Sequence, residues 1–316
     1  MRADEVLVAS QLGRDIDERI EAAFAGLHLV PVAAGFPSEL PAAAKVFFAA
    51  PFRSGTPVFP PAASWIKQVQ WIQLLSAGAD GFPPWYFDAP QLTCSRGPTA
   101  RPVAEFALAA IFAHAKGMPH VWIRDAADWR PQPLAMLHGS TLGIVGFGAI
   151  GRTLAMLALG LGMRVLVNRR SPGPAPDMEA VAAVALEQLL RESDHVVLAA
   201  AATPQTRQLI DRAALRHAKP GMHLVNVARG SLLDQDALVE ALDDGRIACA
   251  SLDVTEPEPL TPGHRLYTHP AVRLSPHLSW YDPALRVRLA DEFVHNFRNF
   301  LAGLPLSNLV DRHRGY

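Results

Sequence analysis

The sequence predicts an α/β protein built on parallel sheets in two units, and three observations carry that expectation. The first is residues 141–151, TLGIVGFGAIG, in which a short apolar run is followed by Gly146, Gly148 and Gly151 in G-x-G-x-x-G spacing. The second is the first hundred residues, where short apolar runs alternate with helical stretches and proline-rich breaks. The third is the downstream half, whose candidate strands are almost continuously apolar, as strands covered on both faces of a parallel sheet should be.

In chain order, the first unit offers candidate strands at 5–9, 29–33, 45–50, 69–75 and 91–95, with breaks at 57–61 and at Pro83–Pro84. A long helix is expected from Pro102 to about Lys116, since Pro102 suits a first turn and Glu105 complements the dipole there. An irregular stretch runs from there to Gly139. Strands then follow at 141–146, 164–168, 195–200, 223–228, 248–254 and 272–275. A last helix starts near Asp282–Pro283 and stops at Gly303, with Leu285, Leu289, Phe293, Phe297, Phe300 and Leu301 at core spacing. The expected division is residues 1–100 with 283–316 as one domain and 101–282 as the other.

Composition narrows the function. The chain has 316 residues, 50% hydrophobic and 19% charged, with net charge −1, which gives no general steering toward nucleic acid or anionic lipid. No apolar run approaches a membrane span, and the N-terminal residues have no signal-peptide core. Only Cys94 and Cys249 are present, so neither a disulfide framework nor a cysteine metal site is expected. The expected location is the cytoplasm, with no nucleic-acid or membrane partner.

The glycine turn carries the first chemistry. The spacing, with a strand before it and a helix after, points to a dinucleotide site: one glycine for a tight turn, one for backbone approach to a pyrophosphate, one for helix–strand packing. Gly146, Gly148, Ala149, Ile150 and Gly151 are the candidate phosphate-side residues, and the helix expected to open at Arg152 offers unpaired N–H groups to an anion. The next strand ends in Asn168, Arg169, Arg170 and Ser171, with no carboxylate where NAD-specific sites place one for the ribose 2′-OH. Guanidinium forks bind phosphate bidentately, so NADP(H) is the preferred cofactor, with NAD(H) possible.

Three later segments each end a strand, where ligands sit in open α/β sheets. They are 225–231 with Arg229, 251–260 with Asp253, Glu256 and Glu258, and 273–280 with His277. Singly each is weak, for one arginine or one of 12 histidines at a strand end means little. Three in order downstream of a dinucleotide turn form a set.

With these motifs in view, the chain resembles the D-isomer-specific 2-hydroxyacid dehydrogenases over nearly its whole length. The resemblance rests on SAGAD at 76–80, VAEFAL at 103–108, NVARGSLLDQDAL at 226–238, LDVTEPEPL at 252–260, Pro276–His277 and the final PLSNLVDRHRGY. Within the family it looks most like the NADPH-dependent glyoxylate/hydroxypyruvate reductases. The resemblance implies two Rossmann-like/flavodoxin-like domains with the active site in the cleft between them. It further implies Arg229 as substrate anchor, Glu258 as partner of His277, and His277 as general acid/base. By the same resemblance Asp253 holds the nicotinamide carboxamide, Ala228 lies at the cofactor, and Ser76, Ala77 and Gly78 clasp the substrate carboxylate. A homodimer is implied through residues 118–139, whose Trp122, Trp129, Leu134 and Met136 are apolar enough for an interface or for covering the protein's own core.

The chemistry agrees with those roles. Reducing a 2-oxo acid to the D-2-hydroxy acid builds negative charge on the carbonyl oxygen. A permanently charged arginine can polarise that carbonyl, and an imidazolium can protonate the developing alkoxide. Glutamine where Glu258 stands would resemble formate dehydrogenases, so that activity is disfavoured. Two features depart from the family pattern. Ala201 and Ala202 stand where a Pro-Leu pair is usual. Leu278, Ser279 and Trp280 follow His277 where small residues are common, and Trp280 and Tyr281 either narrow the substrate mouth or pack the interdomain hinge. Trp85 and Tyr86 either line the pocket or pack. Two rival functions remain from the sequence: an NAD-linked dehydrogenase of other substrate range, and a nucleotide-sensing corepressor-like binding protein.

Overall fold

A computed structural model describes residues 1–51, 58–170 and 178–316. Pro57 and Ser171 lie outside the described residues. The chain divides into two compact units, Met1–Thr99 with Tyr281–Tyr316, and Ala100–Trp280.

The first unit contains β1 (Leu7–Ser10), α1 (Arg14–Glu21), β2 (Leu29–Pro31), β3 (Ala44–Ala49), β4 (Trp71–Leu74) and β5 (Gln91–Cys94). Its five strands are all parallel in the order β2-β1-β3-β4-β5, the flavodoxin-like arrangement. The strands are a residue or two shorter than the apolar runs that predict them, because the run ends lie in turns. The C-terminal helix of this unit opens at Leu285 rather than at Pro283. Asp282 and Pro283 instead make the preceding turn, in which Asp282 Oδ1 accepts the Ala284 N–H at 2.8 Å and the carboxylate pairs with Arg288. Gly303 ends that helix in the left-handed region at φ +68°, as the sequence predicts.

Buried polar groups beneath the strands are tied together. Thr93 Oγ1 and Asn296 Nδ2 both donate to Gln73 Oε1, at 2.7 and 3.1 Å, and the Trp71 indole donates to Thr93 at 2.8 Å. Satisfied networks of this kind hold a core in one arrangement, here at the base of the turn that follows β4. Tyr86 is wholly buried among Phe47, Trp65, Trp85 and Phe82, and burial pushes its hydroxyl pKa up. The Trp85 indole donates to Pro60 O at 3.0 Å. These two aromatic rings therefore pack the core.

The second unit runs α2 (Ala100–Ala115), β6 (Thr141–Val145), α3 (Ala149–Gly160), β7 (Arg164–Asn168), β8 (Val181–Ala183), α4 (Leu186–Glu192) and β9 (His195–Leu198). It continues with α5 (Arg212–Leu215), β10 (Met222–Asn226), α6 (Gln235–Asp243), β11 (Ile247–Leu252) and β12 (Val272–Leu274), and α7 (Leu285–Ala302) is the helix of the first unit just described. Seven parallel strands lie in the order β12-β11-β10-β9-β6-β7-β8. The order reverses between β6 and β9, and such a switch point is where open α/β sheets bind ligands beyond the carboxyl ends of the strands. The short edge strand β8 is absent from the sequence reading, since VAA is too short to show a period.

α2 covers one face of this sheet, its Val103, Ala104, Ala107 and Ile111 packing with Ile144, Val197 and Val225. The same face carries a cluster of three histidines. His114 and His223 stack with centroids 4.5 Å apart, and His195 stands edge-on to His223 at 5.6 Å. His223 Nε2 is 2.9 Å from Ser251 Oγ, while the Nδ1 atoms of His195 and His223 are buried with no partner. Burial, reinforced by the other histidines, lowers His195 to about 4 and His223 to about 2; Arg273 adds to the shift at His223 and Asp194 opposes that at His195. His114 is lowered as well, by burial and then by Arg273.

In the unfolded chain these rings titrate near 6.5, so below that pH the unfolded state binds more protons than the native one. Stability is therefore full above roughly pH 6.5 and falls as pH drops toward 4. At pH 5, His195 and His223 together remove about 4 kcal/mol relative to pH 7. Urea unfolding at pH 7, 6 and 5 measures this, and an unchanged midpoint over that span contradicts it.

Candidate active site

The glycine turn lies at the β6–α3 junction and each glycine meets a different constraint. Gly146 adopts φ +97°, and a Cβ there would overlap the backbone of Ala199 and Ala200 beyond β9. A Cβ on Gly151 would overlap the Gly146 carbonyl, so its absence lets α3 sit against the turn. Gly148 caps α3 without a side-chain hydrogen bond, and the space beside it is open. Gly148 and Ala149 are exposed and Ile150 is half-buried. A helix N-terminus with unpaired N–H groups, faced by a glycine that leaves its approach clear, suits a pyrophosphate.

At the end of β7, Asn168 Nδ2 donates to Val184 O at 3.1 Å, which ties the strand end to the segment after β8. Arg169 is half-buried and Arg170 exposed, and no carboxylate stands among residues 163–170. Ala201 O accepts Thr206 Oγ1 at 2.7 Å, closing the turn where the Pro-Leu pair is replaced.

Arg229 leaves the end of β10 on a backbone that Asn226 pins from both sides. The Asn226 side chain accepts the Ala228 N–H at 3.1 Å and donates to Arg229 O at 2.9 Å. Arg229 is half-buried, with Nη1 donating to Ala228 O at 2.8 Å. Next to it, Gly230 is buried against Thr255 and Glu256, whose backbone occupies the place of a side chain. Gln235, in the first turn of α6, fastens the same loop through Glu256, donating to its carbonyl at 2.7 Å and accepting its N–H at 3.0 Å.

That loop presents Glu258. Its Oε1 accepts the Thr255 N–H at 3.1 Å, and its Oε2 lies 2.8 Å from His277 Nδ1. Both side chains are a little over one-third exposed, so the dyad meets solvent. With Nδ1 engaged, Nε2 is the ring nitrogen left for other chemistry.

His277 sits in a turn held by Asp253, which is 1% exposed. Asp253 O accepts the His277 N–H at 2.8 Å, Oδ1 accepts Ser275 Oγ at 2.6 Å and Leu278 N–H at 3.0 Å, and Oδ2 accepts Ser279 N–H at 2.9 Å. A carboxylate offers about four acceptor positions, so roughly one remains for another donor. This clamp is a function that sequence reading misses, because it depends on the register of β11 against β12.

Contacts therefore run without a break from Arg229 through Gly230, Thr255 and Glu258 to His277. In the other unit, the turn after β4 holds Ser76, Ala77 and Gly78, all half-buried. Ser76 Oγ donates to Gly78 O at 2.5 Å and Ser76 O accepts the Ser95 N–H at 2.9 Å. Among the described residues, the N–H groups of Ala77 and Gly78 meet no acceptor. Among the same residues no cluster of His, Cys, Asp and Glu suits a metal ion, and no helix is long and apolar enough to cross a membrane.

The sequence profile of the D-isomer specific 2-hydroxyacid dehydrogenase NAD binding domain matches residues 108–279. A glyoxylate reductase of Aeropyrum pernix is 37% identical over 232 residues, 70% of this chain and 69% of that one. A hydroxypyruvate reductase of Blautia hydrogenotrophica is 35% identical over 180 residues, so that the match spans 57% of this chain and 56% of the relative. Among solved structures, a D-isomer specific 2-hydroxyacid dehydrogenase from Xanthobacter autotrophicus Py2, in complex with NADPH and MES, superposes with a TM-score of 0.82 at 28% identity, covering 99% of both chains. The chain belongs to the D-isomer specific 2-hydroxyacid dehydrogenase family, whose members are nicotinamide-dependent oxidoreductases.

Proposed function

We propose that this chain reduces a small 2-oxo acid, glyoxylate or hydroxypyruvate, to the D-2-hydroxy acid with NADPH. The observation that carries this reading is the continuous run of contacts from the Arg229 turn to the Glu258–His277 dyad, all within the unit that also holds the glycine turn. The names of the Aeropyrum and Blautia relatives and the NADPH in the Xanthobacter structure support it.

Gly146, Gly148, Ala149, Ile150 and Gly151 would hold the pyrophosphate, with Asn168, Arg169 and Arg170 at the ribose and Ala228 and Asp253 toward the nicotinamide. The reduced nicotinamide supplies the hydride. Arg229 pairs with the substrate carboxylate and polarises the carbonyl, a task for a fixed planar cation. The Nε2–H of the His277 imidazolium protonates the oxygen as charge develops there, and Glu258 takes the Nδ1–H so that Nε2 is the nitrogen that gives up and regains the proton. The unpaired N–H groups of Ala77 and Gly78 suit an anion such as a carboxylate. In the oxidative direction neutral His277 accepts the same proton. The segment 118–139 leaves Trp122 and Trp129 66% and 78% exposed, with Leu134 and Met136 also open, and a second copy of the chain is the reading we favour for what covers them.

The test is the loss of absorbance of reduced nicotinamide with glyoxylate and with hydroxypyruvate, using NADPH and NADH in parallel. Faster oxidation of NADPH is expected, and Arg169→Ala with Arg170→Ala should weaken NADPH binding by about tenfold or more while leaving NADH nearly unchanged. A preference for NADH in the wild type, or unchanged NADPH affinity in both variants, refutes the cofactor assignment. No turnover of either acid refutes the substrate assignment.

A further inference from the structure

Trp280 stands where the family resemblance leads one to expect a small residue, and its side chain reaches back to the histidine. Its indole Nε1 donates to His277 O at 2.8 Å. The ring is half-buried and packs into the apolar cluster under α2, so the donor sits on an anchored side chain. His277 itself adopts φ +51°, a left-handed conformation uncommon for any residue but glycine. Such a backbone persists only where its surroundings determine it.

Three points determine it here. The His277 N–H is shared between Asp253 O and Ser275 O, at 2.8 and 3.0 Å. The imidazole Nδ1 is fixed by Glu258 at 2.8 Å. The carbonyl is fixed by the Trp280 indole. Asp253 takes the N–H groups of Leu278 and Ser279 on the other side of the turn, but it has no donor for the His277 carbonyl. The peptide plane leaving His277 is thus held at both ends, its N–H by Asp253 through Leu278 and its carbonyl by Trp280.

We propose that Trp280 is a positioning residue for His277, holding by its indole N–H the left-handed backbone that directs the imidazole onto Glu258. The inference rests on the catalytic reading of His277 given above, and it deepens that reading by adding a residue that does not touch substrate. Loss of the donor leaves that plane pinned only at its Leu278 N–H end, so the carbonyl can swing about that single hold and the ring loses its fixed place on Glu258.

Trp280→Phe keeps an aromatic ring in the cluster and removes the donor. Turnover should fall about tenfold, the worth of one well-placed hydrogen bond, with KM for the 2-oxo acid and NADPH affinity within about twofold of wild type. A second readout needs no turnover: the low-field proton resonance of His277 Nδ1–H against Glu258, assigned by its loss in His277→Ala. That signal should broaden or vanish in Trp280→Phe and persist in Trp280→His, whose ring retains an N–H. An unchanged signal and unchanged turnover in Trp280→Phe overturn the proposal. So does equal damage in the Phe and His variants, which would assign the effect to packing. Should wild type reduce neither acid, the substrate reading fails, while the proton resonance still decides the role of Trp280.

Discussion

His277→Ala lowers turnover by about a hundred- to ten-thousand-fold, the usual worth of a positioned general acid, while NADPH binds within about threefold of wild type. The asymmetry follows from the position of the ring. His277 reaches the site from a turn after β12, and its hydrogen-bond partner is Glu258 on the loop after β11. Neither belongs to the glycine turn at the β6–α3 junction. The imidazole matters when negative charge appears on the substrate oxygen and hardly before, so its removal is felt in the chemical step. Glu258→Gln should do less harm than His277→Ala, since an amide oxygen still accepts from Nδ1–H and keeps the ring in place. Single-turnover kinetics and an NADPH fluorescence titration on the same preparation separate the two effects. A variant that turns over within about tenfold of wild type removes His277 from the role of acid.

Much of this arrangement is legible from the chain alone, and the reason is local. The G-x-G-x-x-G turn is a short-range device: strand, turn and helix follow one another within residues 141–160, so spacing alone places Gly146, Gly148 and Gly151. The strands of the second unit read clearly because they are buried on both faces and bounded by glycine, proline or charge. Arg229, Glu258 and His277 are each legible as residues at strand ends, and the resemblance groups them. What remains hidden is set by register between strands distant in sequence. His195 and His223 read as single polar residues in apolar runs, yet they are direct partners across β9 and β10, and α2 brings His114 onto them. Asp253 reads as a cofactor ligand, and only the pairing of β11 with β12 shows that its carboxylate also clamps the 275–279 turn. Trp280 is conspicuous in the sequence as a departure, but only the fold shows its indole turned back onto His277 O.

Gly230 shows how such a long-range constraint can outweigh a side chain, and Gly230→Ala is expected to be nearly as damaging as loss of the acid. Gly230 follows Arg229 and is buried under the Thr255–Glu256 peptide, where an added methyl would overlap the carbonyl of Thr255 and the nitrogen of Glu256. Both neighbours are backbone, so no flexible side-chain end can move aside. The loop must shift instead, and it is fastened two ways to Gln235 and through Thr255 N–H to Glu258. Overpacking of this kind costs roughly 1–3 kcal/mol of stability. The larger consequence lies in geometry, since moving Thr255 moves Glu258 away from His277 Nδ1, and a misplacement of about 1 Å costs on the order of a hundredfold in rate. Turnover should therefore fall about a hundredfold in a protein that still folds and still binds NADPH, because the glycine turn at β6 is untouched. The low-field Nδ1–H resonance of His277 should be lost together with activity. A Gly230→Ala variant with wild-type turnover would mean that the loop yields without carrying Glu258 along, and that the route from Arg229 to His277 is not the rigid link its contacts describe.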